Sequence, residues 1–124
     1  MVREVYIGFE VARLLDEKDC ILVDYDGYFD EYGYLVDRPN PCLQDRGHEY
    51  YRRYTQALVM RWLREEKNID IIPFHEILDG ECYWCRIEKK YGNLLHTELQ
   101  QEPTYKTYEK ACEDAIKYCL ENLV

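Results

Sequence analysis

The chain has 124 residues, the size of one ordinary domain, and its 47% apolar and 33% charged residues allow a packed core under a charged surface. A formal net charge of −9 excludes long-range attraction to phosphate backbones, which leaves nucleic-acid binding only to a local basic patch. The charge is uneven: residues 1–45 hold 4 basic and 11 acidic groups, residues 46–67 hold 6 and 3, and residues 68–124 hold 6 and 11.

The opening MVREVYIGFEVARLL has no uninterrupted apolar run of signal-peptide type, and no later segment has the length and apolarity of a membrane span. A cytoplasmic protein without membrane contact is expected, with its six cysteines as free thiols. Residues 8–18 read as a first helix with Val11, Leu14 and Leu15 toward the core. Residues 20–23 (CILV) read as a strand, Asp26-Gly27 as a hairpin turn, and residues 28–36 as the returning strand with a bulge at Gly33. Residues 37–49 contain Pro39, Pro41 and Gly47 and no periodicity, so a flexible surface loop is expected there, not a domain linker.

The stretch TQALVMRWLREEKNIDIIPF (55–74) reads as a helix running almost directly into a strand. Thr55 suits the N-cap, Leu58, Val59, Trp62 and Leu63 form the core stripe, and Arg61 and Arg64 point away from it. Pro73 cannot donate a ladder bond and implies an edge position or a bulge. Asp79-Gly80 is a second turn signal, residues 81–90 are the partner strand, Tyr91-Gly92-Asn93 is a third turn, and residues 94–99 are a further short strand. Residues 107–123 form the clearest helix, with Thr107 as N-cap and Tyr108, Ala111, Cys112, Ala115, Ile116, Cys119 and Leu123 as its apolar stripe. The expected fold is a single α+β domain spanning 1–124, an antiparallel sheet of about four strands with two or three helices on one face.

Three patterns invite a chemical reading. ILVDYDG (21–27) matches the apolar-strand-then-DxDG pattern of haloacid-dehalogenase-type phosphatases, which would make Asp24 a phosphoryl acceptor and Asp26 an acid/base. That chemistry also needs a lysine, a Ser/Thr and a further acidic pair for Mg²⁺ on a parallel sheet, and Tyr28 replaces the usual Thr or Val, so a hairpin is the better account. The acidic cluster Asp24, Asp26, Asp30 and Glu31 fails the EF-hand register, because Gly27 falls at position 4 where position 6 is required. Cys82-x-x-Cys85 would place its two thiols on opposite faces of a strand, which speaks against zinc.

His48, His75 and His96 fit no metalloprotease spacing, and there is no GxSxG, phosphate loop or dinucleotide fingerprint. No enzyme activity, cofactor or metal is expected. The segment 46–67 interleaves Tyr50, Tyr51 and Tyr54 with Arg46, Arg52, Arg53, Arg61, Arg64 and Lys67, as single-stranded nucleic-acid platforms do. The element order from residue 55 onward echoes the double-stranded-RNA-binding topology, but the last helix is acidic where such a domain carries lysines.

Three segments carry a resemblance: FEVARLL (9–15), TQAL with RWLRE (55–65), and TYEKA with AIKYCLENL (107–123). On them the chain resembles a family of small uncharacterised proteins of gut bacteria and their phages or mobile elements. The resemblance implies a cytoplasmic, prophage-linked setting and transfers no activity, cofactor or catalytic residue. The residues point to a non-enzymatic protein-interaction module with a protein partner or self-association. In a more specific form its acids imitate nucleic acid. The candidate surfaces are a basic patch (Arg52, Arg53, Tyr54, Arg61, Arg64) and an acidic patch (Asp24, Asp26, Asp30, Glu31). Nucleic-acid binding through 46–67 is the alternative, and a small phosphatase-like hydrolase using Asp24 and Asp26 the remote one.

Overall fold

The computed structural model describes residues 4–77, 81–89 and 105–124. The fold is α+β, with four helices and two antiparallel sheets among the described residues. The strands do not join one sheet of about four. They form a three-stranded and a two-stranded sheet, within two compact units, Met1–Thr55 and Gln56–Val124.

In the first unit, α1 (Phe9–Glu17) follows Gly8, whose carbonyl accepts from Ala12 N at 3.0 Å. Val11, Ala12 and Leu15 are buried, the i, i+1, i+4 pattern of one helical face. The helix stops where Asp19 turns left-handed (φ 56°) and Cys20 N reaches back to Leu15 O at 2.9 Å. The strand expected at 20–23 does not form. Leu22 N donates to the Tyr54 hydroxyl (3.0 Å), while β1 (Tyr28–Asp30) has both sides filled by β2 (Leu35–Val36) and β3 (Tyr50–Arg52). Residues 20–23 have strand propensity but join no ladder, and β1 offers them no free side.

The hairpin turn also falls elsewhere than Asp26-Gly27. Asp26 N donates to Arg53 O (2.9 Å) and Arg53 N to Gly27 O (3.1 Å), which prolongs the β1–β3 pairing. The chain reverses instead between Asp30 and Tyr34. One Asp30 carboxylate oxygen accepts from the amides of Tyr32 and Tyr34, both at 2.9 Å, and Gly33 takes φ +90°. Residues 28–36 thus fold into two short strands, not one bulged strand. Within 37–49 one turn of helix forms, α2 (Pro41–Gln44), with Asn40 Oδ1 accepting from Cys42 N at 3.0 Å. Phe9 packs edge-on against both Phe29 and Tyr51 with ring centroids 5.9 Å apart, tying α1 to the sheet.

In the second unit, α3 (Gln56–Glu66) buries Val59 and Leu63, half-buries Leu58 and Trp62, and exposes Arg61 and Arg64. Asn68, left-handed at φ 57°, turns the chain into β4 (Ile69–Ile77). β4 pairs antiparallel with β5 (Glu81–Lys89), with Ile71 facing Ile87 and Pro73 facing Cys85. Among the described residues β4 has no other ladder partner, which gives Pro73 the edge position it needs. Ile69, Ile71, Cys85 and Ile87 share the buried face. On its far side β5 exchanges two backbone bonds between Tyr83 and Tyr105 (2.9 and 2.8 Å). The turns expected at 79–80 and 91–93 and the strand at 94–99 fall on or next to residues outside the described set.

The last helix, α4 (Tyr108–Asn122), is capped by Thr107, whose hydroxyl accepts from Lys110 N at 3.2 Å. Ala111, Cys112, Ala115, Ile116, Cys119 and Leu120 are buried, whereas Tyr108 is exposed. Gln56, buried at the start of α3, donates through Nε2 to Glu109 O (2.9 Å) and Glu113 Oε1 (3.0 Å), pinning the beginnings of α3 and α4 together. Among the described residues no helix is long and apolar enough to cross a membrane.

Candidate functional site

The five residues proposed as a basic patch divide between the two units. Arg52, Arg53 and Tyr54 belong to the first unit, Arg61 and Arg64 to the second. Arg52 turns inward: Nη1 donates to Leu22 O at 2.8 Å and the guanidinium lies 4.5 Å from the Tyr25 ring centroid. Arg53 Nε donates to Asp26 O at 2.8 Å, its Nη2 is 3.4 Å from the Asp26 carboxylate, and its guanidinium sits 4.0 Å over the Tyr6 ring. Tyr54 is buried, and Arg61 pairs with Glu65 one turn on at 3.0 Å. The charges that would meet a nucleic-acid backbone are therefore largely turned onto the protein's own carbonyls and carboxylates.

The acids are also engaged. Asp26 accepts from the Tyr6 hydroxyl (2.9 Å) as well as pairing with Arg53. Asp30 closes the β1–β2 turn, and Glu31 pairs with His48. Asp24 is exposed. Asp24 and Asp26 lie on the extended connection ahead of an antiparallel sheet, not at the end of a parallel strand. A hydroxyl bonded to a carboxylate is harder to ionise, and Asp26 accordingly holds the Tyr6 pKa above its ordinary value.

The stretch that carries these acids also exposes apolar side chains. Val23 is 87% exposed, Tyr32 73%, Tyr34 71%, Ile21 68% and Leu35 58%, all within one 15-residue stretch. Tyr25, in the same stretch, is partly exposed and carries a hydrogen bond from Tyr28 OH at 2.7 Å. Residues 21–35 contain four acidic side chains and no lysine or arginine. Local sequence misses this surface, because the CILV run looks like a buried strand, and that Ile21 and Val23 are exposed follows only from the run's joining no ladder.

The first unit also holds a cavity of about 250 Å³, walled by Asp16 of α1, Ile21, Tyr28, Tyr50, Arg52 and Tyr54 among others. Burial is the main cause that raises the Asp16 pKa, followed by the carboxylates of Glu49, Asp19 and Glu17. The signal for this cavity was present in the alternation Tyr50-x-Arg52-x-Tyr54, which in a strand sends these three side chains to one face.

The four cysteines of the second unit are packed away. Cys82 and Cys85 sit on opposite faces of β5, and the Cys85 thiol contacts Cys112, a hydrogen bond that together with burial pushes Cys85 up. Burial pushes Cys119 up to about 12, so it is a weak nucleophile. His75 stacks on Tyr83 with centroids 4.7 Å apart, and His96 lies outside the described residues. No group of three or more His, Cys, Asp or Glu side chains gathers as a metal site among the described residues. No family model, curated protein or solved structure matches the chain.

Proposed function

We propose that the protein is a non-enzymatic interaction module whose first unit docks a basic segment of another protein on the surface formed by residues 21–35. The observation that carries this reading is the concentration of Ile21, Val23, Tyr32, Tyr34 and Leu35, all exposed, among acidic side chains with no basic residue in the stretch. Exposed aliphatic and tyrosine area supplies the contact, and the acids select a cationic partner. Arg52 over Tyr25 and Arg53 over Tyr6 and against Asp26 show the same region already holding guanidinium groups by ring face, carbonyl and carboxylate. Self-association through this surface would bring like charges together, since residues 1–55 hold 7 basic and 12 acidic groups. All six cysteines are free thiols, which fits a reducing cytoplasm as the setting.

The test is affinity capture with the wild type beside a Tyr32→Ala, Tyr34→Ala, Leu35→Ser variant, followed by isotherms on the partner identified. The reading expects a lysine- or arginine-rich contact segment on the partner, at least about tenfold weaker binding by the variant, and weakening as salt approaches about 1 M. A partner bound equally by the variant would overturn it. So would binding unchanged by salt, or sedimentation showing only self-association.

A further inference from the structure

We propose that the cavity of the first unit is a binding site for a small zwitterion of the amino-acid class, with its ammonium on Asp16 and its carboxylate on Arg52. The cavity shares Ile21 and Tyr28 with the docking stretch but would take a ligand of another class. A cavity of about 250 Å³ lies below the ~300–1,000 Å³ usual for drug-sized ligands, which suits a single amino acid better than a nucleotide. Its wall carries one carboxylate and one guanidinium, so a ligand of either single charge would leave one of them facing its like.

Both groups are prepared for such a ligand. Arg52 is held by Leu22 O at 2.8 Å and by the Tyr25 ring at 4.5 Å, so its planar fork is fixed before a ligand arrives. Five N–H donors exceed what Leu22 O and the neighbouring tyrosine hydroxyls take, leaving donors for a carboxylate. Asp16 has no ion-pair partner among the described residues. Though the residue is exposed overall, its carboxylate is disfavoured by partial burial at the cavity wall and by Glu49, Asp19 and Glu17, which an ammonium would relieve. Tyr28, Tyr50 and Tyr54 supply ring surface for the ligand's body. The Tyr54 hydroxyl is already engaged with Leu22 N and Cys20 O, so its ring stays in place.

The full-length protein would be screened by thermal shift against each proteinogenic amino acid at about 10 mM, and hits measured by calorimetry. The expected result is at least one amino acid that raises the melting temperature. The amine lacking its carboxylate and the acid lacking its ammonium should each bind at least about tenfold more weakly. Asp16→Asn, an exposed helical position, should keep the fold and lose about tenfold, and Arg52→Lys, which keeps the charge but not the fork, should lose binding to the acid end. No shift with any amino acid would overturn the proposal, as would equal binding of the decarboxylated analogue or full affinity in a folded Asp16→Asn protein. The cavity shares Ile21 and Tyr28 with residues 21–35, but these variants change neither, so their outcomes are read apart from protein docking.

Discussion

Single side chains settle several features of this molecule that periodicity alone does not. Gly33 sits at φ +90°, and a Cβ there would come within 3.2 Å of the Phe9 ring. Gly33→Ala combines strain with a clash against the ring that anchors α1, and should cost about 1–3 kcal/mol in urea unfolding. Tyr51 donates to the Glu49 carboxylate at 2.5 Å, and that bond, with burial, pushes its pKa up to about 12. Because the folded value lies above the ordinary 10, the protonated hydroxyl is favoured in the fold. Its contribution is complete below pH 10 and is lost as pH rises through 12. Tyr51→Phe should therefore flatten the alkaline loss of stability over that window, read as melting temperature against pH. Tyr105, also pushed up to about 12 by burial and Asp114, leaves a residual slope.

The roles of Arg52, Arg53 and Tyr54 were the least legible at this scale. The alternation of types was visible, but an arginine's partner is decided by which carbonyl or carboxylate the fold brings near it. Here those are Leu22 O and Asp26, about thirty residues earlier in the chain.

At the scale of elements, helices were readable and sheets were only half so. α1, α3 and α4 follow from stripes at 3.6-residue spacing and from the Thr107 cap, all local information. β4 and β5 were legible too, since alternation at 81–87 and Pro73 at an edge agree with their ladder. The three-stranded sheet was not, because residues 28–36 read locally as a strand but their partner Tyr50–Arg52 lies some twenty residues away, in a segment with no strand signal of its own. Leu63 of α3 is fully buried, so Leu63→Ala should destabilise by about 2–5 kcal/mol in chemical denaturation. Gln56→Leu removes the two bonds that join the starts of α3 and α4 and should cost about 0.5–1.5 kcal/mol by the same measurement.

Across the whole molecule the charge of −9 is shared between the two units, yet among the described residues the exposed aliphatic and aromatic side chains are concentrated in the first. That contrast carries the functional reading, since acidity alone describes many soluble surfaces while acidity around Val23, Tyr32 and Tyr34 describes a contact. The Tyr32→Ala, Tyr34→Ala, Leu35→Ser variant removes mainly exposed side-chain area and should leave stability within about 1 kcal/mol of wild type. The most direct measurement is amide hydrogen exchange of the protein with and without its captured partner. Protection confined to residues 21–35 is the result this account expects. Protection centred on the Arg61–Arg64 face of α3, with residues 21–35 unchanged, would contradict it.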